Sequence, residues 1–306
     1  IGSDRWPLDS ESAQQQTNFK FEIILGEDDS PDKTRDICID YAKRHPDKIK
    51  LFLHHRDNVI YVNNCPTGKF NFIYSLSKAK GKYVAICDGD DYWSDPLKLQ
   101  KQVDFLEGNK DFNLCIHNTS TWSNGSIIST FSFNGKRQKI IHFKDLFTGH
   151  YFQTSSIVYR NDRTIDVPID KILDTTLNLF LLENGGKAFY IDEDMSVYRK
   201  HTGGVFTSKS REKQLNHFYY FNQYYLERYN DRLDIVKLIN HRLKKNCLEF
   251  SILYLKQKKR KEAILWFKNS FKYPSKSSPY LYYNLLRLHF INKNILKKNK
   301  NYLTTN

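Results

Sequence analysis

The sequence is short of sulfur. It has one methionine, Met195, and five cysteines, Cys38, Cys65, Cys87, Cys115 and Cys247. An odd count with no Cys-x-x-Cys pair argues against a disulfide framework and against a structural zinc site. Cys38, Cys87 and Cys115 stand among apolar residues and are expected as small core side chains, reduced as they would be inside a cell. No run of about 18 apolar residues occurs, so no membrane-spanning helix is expected. No basic-then-apolar leader opens the chain. Residues 1–18 lack a clear strand pattern, and Ile1 stands where an initiator methionine would. The expectation is a divergent or truncated N-terminal segment.

Acidic residues are scarce in one place only. Residues 209–306 hold 6 Asp+Glu against 22 Lys+Arg, whereas residues 1–208 hold 28 against 26. The net charge of +14 therefore belongs to the last third, and so does any argument about anionic partners.

What is present is a series of apolar runs that stop at acidic turns. The run Tyr83-Val84-Ala85-Ile86-Cys87 ends at Asp88-Gly89-Asp90-Asp91. Such a run reads as a buried strand, and open α/β sheets bind ligands at the carboxyl ends of their strands. Three crowded carboxylates repel one another, and oxygen ligands suit a hard cation such as Mg or Mn shared with phosphate. Phe19–Leu25 is a second such strand, ending in Gly26-Glu27-Asp28-Asp29-Ser30. Ser30 is expected to cap a helix with Pro31 in its first position, running to about His45. The plain reading of Glu27, Asp28 and Asp29 is complementation of that helix dipole.

A short strand follows at Ile49–Leu53, then a loop, Asn63–Lys69, in which the backbone N–H groups around Gly68 could face a diphosphate. Helices are expected from Asn71 to Ala79 and, capped by Ser94 or Asp95 with Pro96 entering, through Leu99, Val103 and Leu106. His117 sits in a strand and reads as an ordinary buried histidine sooner than as a ligand. Ile127–Phe133 reads as a strand with a turn at Asn134-Gly135. Asp174 precedes a helix, Leu177–Glu183. From Lys209 onward apolar residues recur at helical spacing, including Phe218, Phe221 and Tyr225, Ile264, Phe267 and Phe271, and Leu281, Leu285 and Leu288. Four or five helices are expected there. Tyr254, Ala263, Phe267 and Pro274 have spacings like one tetratricopeptide repeat. The basic runs read as solvated charge or as attraction to an anionic membrane surface; no nucleic-acid module accompanies them.

The run Lys80–Trp93 with Asp95–Gln102 resembles the metal-binding block of bacterial family 2 glycosyltransferases of the GT-A fold. FEIILGEDDSPDKT is similar to that family's nucleotide-binding turn, and Tyr198–Gly204 to its YRxHxGG ending. The resemblance implies an α/β, Rossmann-like, mixed and mostly parallel sheet with flanking helices over 19–208, followed by an all-α basic region over 209–306. It implies nucleotide binding by Asp28, which would pair with the base, flanked by Glu27 and Asp29; the loop around Gly68 is the further nucleotide-binding candidate. Asp88 would hold ribose or metal, and Asp90, Asp91 and His201 would hold a Mn or Mg ion. Asp174 matches the family's general base, although Leu173 and Thr175 depart from the pattern around it; as a helix cap it needs no catalytic role. The implied activity is inverting transfer of a sugar from a nucleotide-sugar to a glycan or lipid-linked acceptor, in bacterial surface polysaccharide synthesis. The place of work would be cytoplasmic, peripheral on the inner membrane face, with no nucleic-acid partner. The alternative is a catalytically inactive GT-A relative serving as a docking module. A nucleotidyltransferase would want a Gly-rich basic N-terminal loop, which this sequence lacks.

Overall fold

The computed structural model describes residues 15–62, 65–131, 139–149, 152–162, 174–201 and 209–275. The chain separates into two compact units, Ile1–Thr207 and Ser208–Asn306.

In the first unit, strand β1 (Ile23–Glu27) pairs in parallel with β2 (Ile49–Leu53) across helix α1 (Thr34–Arg44). That is the βαβ crossover expected when a strand, an acidic turn and an amphipathic helix follow one another. Helix α1 begins later than the cap at Ser30 would place it. Asp32 Oδ1 takes the Thr34 N–H at 3.0 Å, and upstream the Glu27 carboxylate accepts from the N–H groups of Asp29 and Ser30, at 3.1 and 2.7 Å, where Asp29 turns into the left-handed region at φ 57°. Those two N–H groups are spent on the turn.

A small hairpin, β3 (Ile60–Val62) with β4 (Cys65–Thr67), stands where a loop was expected, and leads into α2 (Lys69–Lys78). Strand β5 (Tyr83–Ala85) is shorter than its apolar run, because Ile86 and Cys87 leave the sheet before the acidic turn. After that turn come β6 (Tyr92–Trp93), α3 (Lys98–Gly108), the long β7 (Leu114–Ser123), β8 (Ser126–Phe131), β9 (Ile140–His142), β10 (Val158–Arg160), α4 (Asp174–Leu182) and β11 (Lys187–Arg199). The β7–β8 hairpin turns at Asn124-Gly125, both at positive φ (51° and 88°). The expected turn at Asn134-Gly135 lies outside the described residues.

The main sheet runs β5-β10-β7-β11-β6, with β8 on β7 and β9 on β11. The mixed sheet with flanking helices is present; the mostly parallel pairing is not. Among the described pairings only β1–β2 and β7–β11 are parallel. The β3–β4 and β7–β8 hairpins, the antiparallel return of β10 between β5 and β7, and the antiparallel pairing of β6 and β9 with β11 account for the others. Helix α3 lays Leu99, Val103 and Leu106 against Cys115 of β7 and Val158 of β10, closing a core with Trp93 and Phe112. Residues 15–18 are tied to the start of α3: Gln15 Oε1 accepts from the Leu99 N–H at 3.0 Å, and its amide donates to the Asp95 carbonyl at 2.9 Å. Gln15, a residue with no strand or helix signal of its own, thus occupies an N-terminal donor of α3.

The second unit contains α5 (Arg211–Arg228), α6 (Leu233–Lys256) and α7 (Arg260–Asn269), with no strand among its described residues. Ser210 caps α5, accepting from the Lys213 N–H. Phe221, Tyr225, Ile235, Ile239, Leu243 and Phe250 are buried as the periodicity predicts. Phe218, Ile264 and Phe271 are not: they are 38, 55 and 63% exposed. The helices expected from Leu281 onward lie outside the described residues.

Candidate active site

Two acidic turns carry the expected residues. At the end of β1, Glu27 is buried and binds inward. Arg35 Nε donates to its carboxylate at 2.5 Å, and the Arg35 guanidinium also reaches the His54 carbonyl and, at 3.2 Å, Asp29 Oδ1. Burial pushes the Glu27 pKa up, but the hydrogen bonds from Arg35 and Ser30 outweigh it and leave the group below the usual carboxylate range. Glu27 is thereby occupied in building the turn. Asp28 differs. Burial raises its pKa against the opposing pull of His54 and an Asn71 hydrogen bond. The position after β1 thus carries one carboxylate spent on structure and one whose pKa burial raises.

The β1 end meets α2 at close range. Asn71 Nδ2 donates to the Gly26 carbonyl at 2.9 Å while Ser75 donates to Asn71 Oδ1 at 3.1 Å. A Cβ placed on Gly26 would stand 1.8 Å from Asn71 Oδ1, so only glycine admits this contact. Beside it His54 is buried, edge-on to Phe70 and Tyr74 at 5.0 and 4.9 Å between ring centroids, with a buried Nε2 that has no hydrogen-bond partner. Gly68 occupies the N-cap position of α2 at φ −77°, and a Cβ there would meet nothing within 4 Å. Packing does not require the glycine, and its side faces open space.

The second turn follows β5. The Asp91 N–H donates to the Asp88 carbonyl at 3.0 Å, which curls the chain so that Asp88 is exposed, Asp90 half-buried and Asp91 buried. The antiparallel register of β6 and β11, Val197 opposite Tyr92, then brings the segment after Val197 alongside the turn. The Arg199 N–H donates to Asp91 Oδ1 at 3.1 Å, and the Arg199 guanidinium donates to the Asp90 carbonyl. His201 Nε2 lies 3.0 Å from Asp90 Oδ2. Burial, then the charges of Asp88 and Asp90, push the Asp91 carboxyl up to about 8. Burial and the same three carboxylates raise the Tyr198 phenol.

That excess of negative charge is the chemistry a cation relieves. The donor set, carboxylate oxygens with one imidazole, suits a hard or borderline divalent ion that takes its remaining ligands from phosphate and water. Among the described residues no three His, Cys, Asp or Glu side chains converge to hold an ion by themselves. Asp90 and His201 are the pair that could hold such a shared ion on the protein side.

Comparison with known sequences settles the family. The sequence model of Glycosyl transferase family 2 matches residues 10–163, half of the chain. The chain belongs to glycosyl transferase family 2. It is 31% identical over 208 residues to the Escherichia coli enzyme WfaP, named UDP-Glc:alpha-D-GlcNAc-diphosphoundecaprenol beta-1,3-glucosyltransferase, covering 66% of this chain and 74% of that one. It is 32% identical over 209 residues to an uncharacterized Mycobacterium tuberculosis protein, covering 66% of this chain but 56% of that one. A Bacillus subtilis protein whose name assigns it to teichuronic acid biosynthesis, TuaG, is 33% identical over 95 residues, 31% of this chain and 34% of that one. The glycosyltransferase thus spans little more than half the length of the mycobacterial relatives it matches.

Within this glycosyltransferase the expected residues fall into two networks: Glu27, Asp28 and Asp29 with Arg35, His54 and Asn71, and Asp88, Asp90 and Asp91 with Tyr198, Arg199 and His201. Asp174 opens α4, and its side chain lies outside the described residues. Arg35, His54 and Asn71 carry no motif signal. Asn71 could have been suspected only from the glycine it demands 45 residues earlier. His117 is buried, with Nδ1 2.6 Å from the Asn118 carbonyl, and burial drives its pKa down; it is a core histidine.

Proposed function

We infer that this glycosyltransferase moves a hexose from a nucleoside-diphosphate sugar to an acceptor hydroxyl, with inversion at the anomeric carbon and with Mn or Mg. The reading rests on one observation above others: the strand register delivers His201 Nε2 to 3.0 Å from Asp90 Oδ2 in a turn of three carboxylates. In this scheme Asp28, held by Asn71, accepts from a base N–H, and Asp88 accepts from ribose hydroxyls. Asp90 and His201 would hold the ion, which when bound stabilises the charge gathering on the departing diphosphate. Arg199, anchored at the same turn, keeps that strand end in register. Asp174 takes the acceptor proton from the face opposite the leaving group, which gives inversion.

WfaP, by its name, acts on a sugar carried by diphosphoundecaprenol. That supports an acceptor hanging on a lipid carrier, and the name of TuaG supports a role in polysaccharide synthesis. No helix among the described residues is long and apolar enough to cross a membrane. The alternative is an inactive or truncated relative acting as a binding module, which the departures at Leu173 and Thr175 beside Asp174 favour. Titration of nucleoside diphosphates with and without Mn, followed by assay of sugar-nucleotide turnover, separates the two. Metal-dependent binding with turnover is expected. Binding without turnover would establish the inactive module. Asp90→Asn should remove the metal dependence and lower turnover at least about 100-fold; unchanged Mn dependence would displace the ion from Asp90.

A further inference from the structure

Helix α7 exposes apolar side chains that a helix in water has reason to bury. Ile264 is 55% exposed and Leu265 58%, and in the 3-10 turn that continues the helix Phe271 is 63% exposed. At about 100° per residue, Lys261, Ile264, Leu265, Lys268, Phe271 and Lys272 fall within an arc of about 120°. The opposite side of the helix is spent on packing. Ala263 and Ser270 are buried, and Trp266 stacks on Phe250 of α6 at 4.1 Å between centroids. The outward arc therefore alternates three apolar side chains with three lysines and holds no acid. Glu262, the only acidic residue from Lys256 to Ser275, projects outside the arc. The adjoining α6–α7 turn adds Lys256, Lys258, Lys259 and Arg260, all exposed.

A protein partner's interface core is depleted in lysine, and a solvated charge run does not need Ile, Leu and Phe among its lysines. The pattern matches the bilayer interface, where apolar side chains enter the acyl boundary and lysines extend along it to reach anionic headgroups. We propose that the outward arc of α7, with the α6–α7 turn, is a docking surface for an anionic lipid bilayer. This deepens the proposed function, from which it takes only that the acceptor hangs on a lipid. The arc lies on one helix, and its own charge and exposure carry the argument.

The test is flotation of the full chain with vesicles of equal phosphatidylglycerol and phosphatidylcholine, against phosphatidylcholine alone. The wild type should float with the anionic vesicles only. Replacing Lys261, Lys268 and Lys272 with Gln should weaken binding on the order of 100-fold. Ile264→Ser, Leu265→Ser and Phe271→Ser together should also abolish flotation, with the far-ultraviolet circular dichroism and melting temperature unchanged because all three side chains are exposed. The same charge removed elsewhere, at exposed Lys20, Lys33 and Lys110, should leave binding intact. Flotation of either α7 variant like the wild type, equal loss from the control variant, or no wild-type flotation overturns the proposal. Turnover on a water-soluble acceptor is read separately, so loss of the docking surface and loss of the transferase reading give different results.

Discussion

A lysine in a protein core without a hydrogen-bond partner opposes folding whenever it is charged. Lys98 is fully buried, its Nζ has no partner, and it lies 4.3 Å from the Trp93 ring centroid. Burial lowers its pKa from 10.5 to about 7, the cation–π contact notwithstanding. The sign follows from proton counts. Between pH 7 and 10.5 the unfolded chain holds a proton that the folded chain does not, so stability rises with pH across that window, by about 1.4 kcal/mol per unit at most. Below pH 7 both states are protonated and the full cost remains. Lys98→Met should stabilise the protein at pH 7 by about 2 kcal/mol or more and flatten this rise. Denaturant melts at pH 7 and pH 9.5 check it; parallel pH profiles for variant and wild type would show that Lys98 is not the group responsible. Glu27 runs the other way. Its folded pKa is lowered, so its contribution is present above pH 4.5 and is lost as pH falls through the folded value. Glu27→Gln should lower the melting temperature at pH 7, with the gap to wild type closing toward pH 3.

At the scale of the element, the β1–α2 contact is the clearest case of one side chain requiring another. Gly26→Ala would drive Asn71 away from its bond to the Gly26 carbonyl and from Asp28, costing about 2 kcal/mol and weakening nucleotide binding. In an Asn71→Ala background the same change should cost less by about 1 kcal/mol, because the obstructing amide is gone. Additive costs in that double-mutant cycle would mean that the Cβ clashes with something else. The same elements show what the sequence made legible. Apolar runs marked β1 and β2, and carboxylates at strand ends marked both acidic turns. The start of α1 was not legible: the chain turns at Asp29 and again at Asp32, whose side chain takes the Thr34 N–H, before the helix begins at Thr34. Pairing direction was not legible either: periodicity reports which residues are buried and is silent on which strand lies beside which. The meeting of Asp90 with His201, 111 residues apart, depends on the β6–β11 register. Only the family resemblance of the YRxHxGG run pointed to it.

For the whole molecule the governing fact is how charge is divided along the chain. Residues 1–208 are near neutral and residues 209–306 carry 22 basic against 6 acidic side chains. The two functions argued above therefore respond differently to salt. On α7 and the α6–α7 turn the lysines are exposed, and exposed charges act over a Debye length of about 10 Å at ~0.1 M salt and about 3 Å at ~1 M. At the acidic turns Asp91 and Glu27 are buried, and Asp28 and Asp90 are half-buried; contacts there are short and poorly screened. Raising NaCl from ~0.1 to ~1 M should release the protein from anionic vesicles. Turnover of the sugar nucleotide on a water-soluble acceptor should change by no more than about threefold over the same range. If vesicle binding survived high salt, apolar insertion alone would hold the protein to the bilayer, and the lysines of α7 would be solvated bystanders. If turnover fell in step with vesicle binding, the basic region would be acting on the anionic donor, and the division of labour between the two parts of the chain would have to be redrawn.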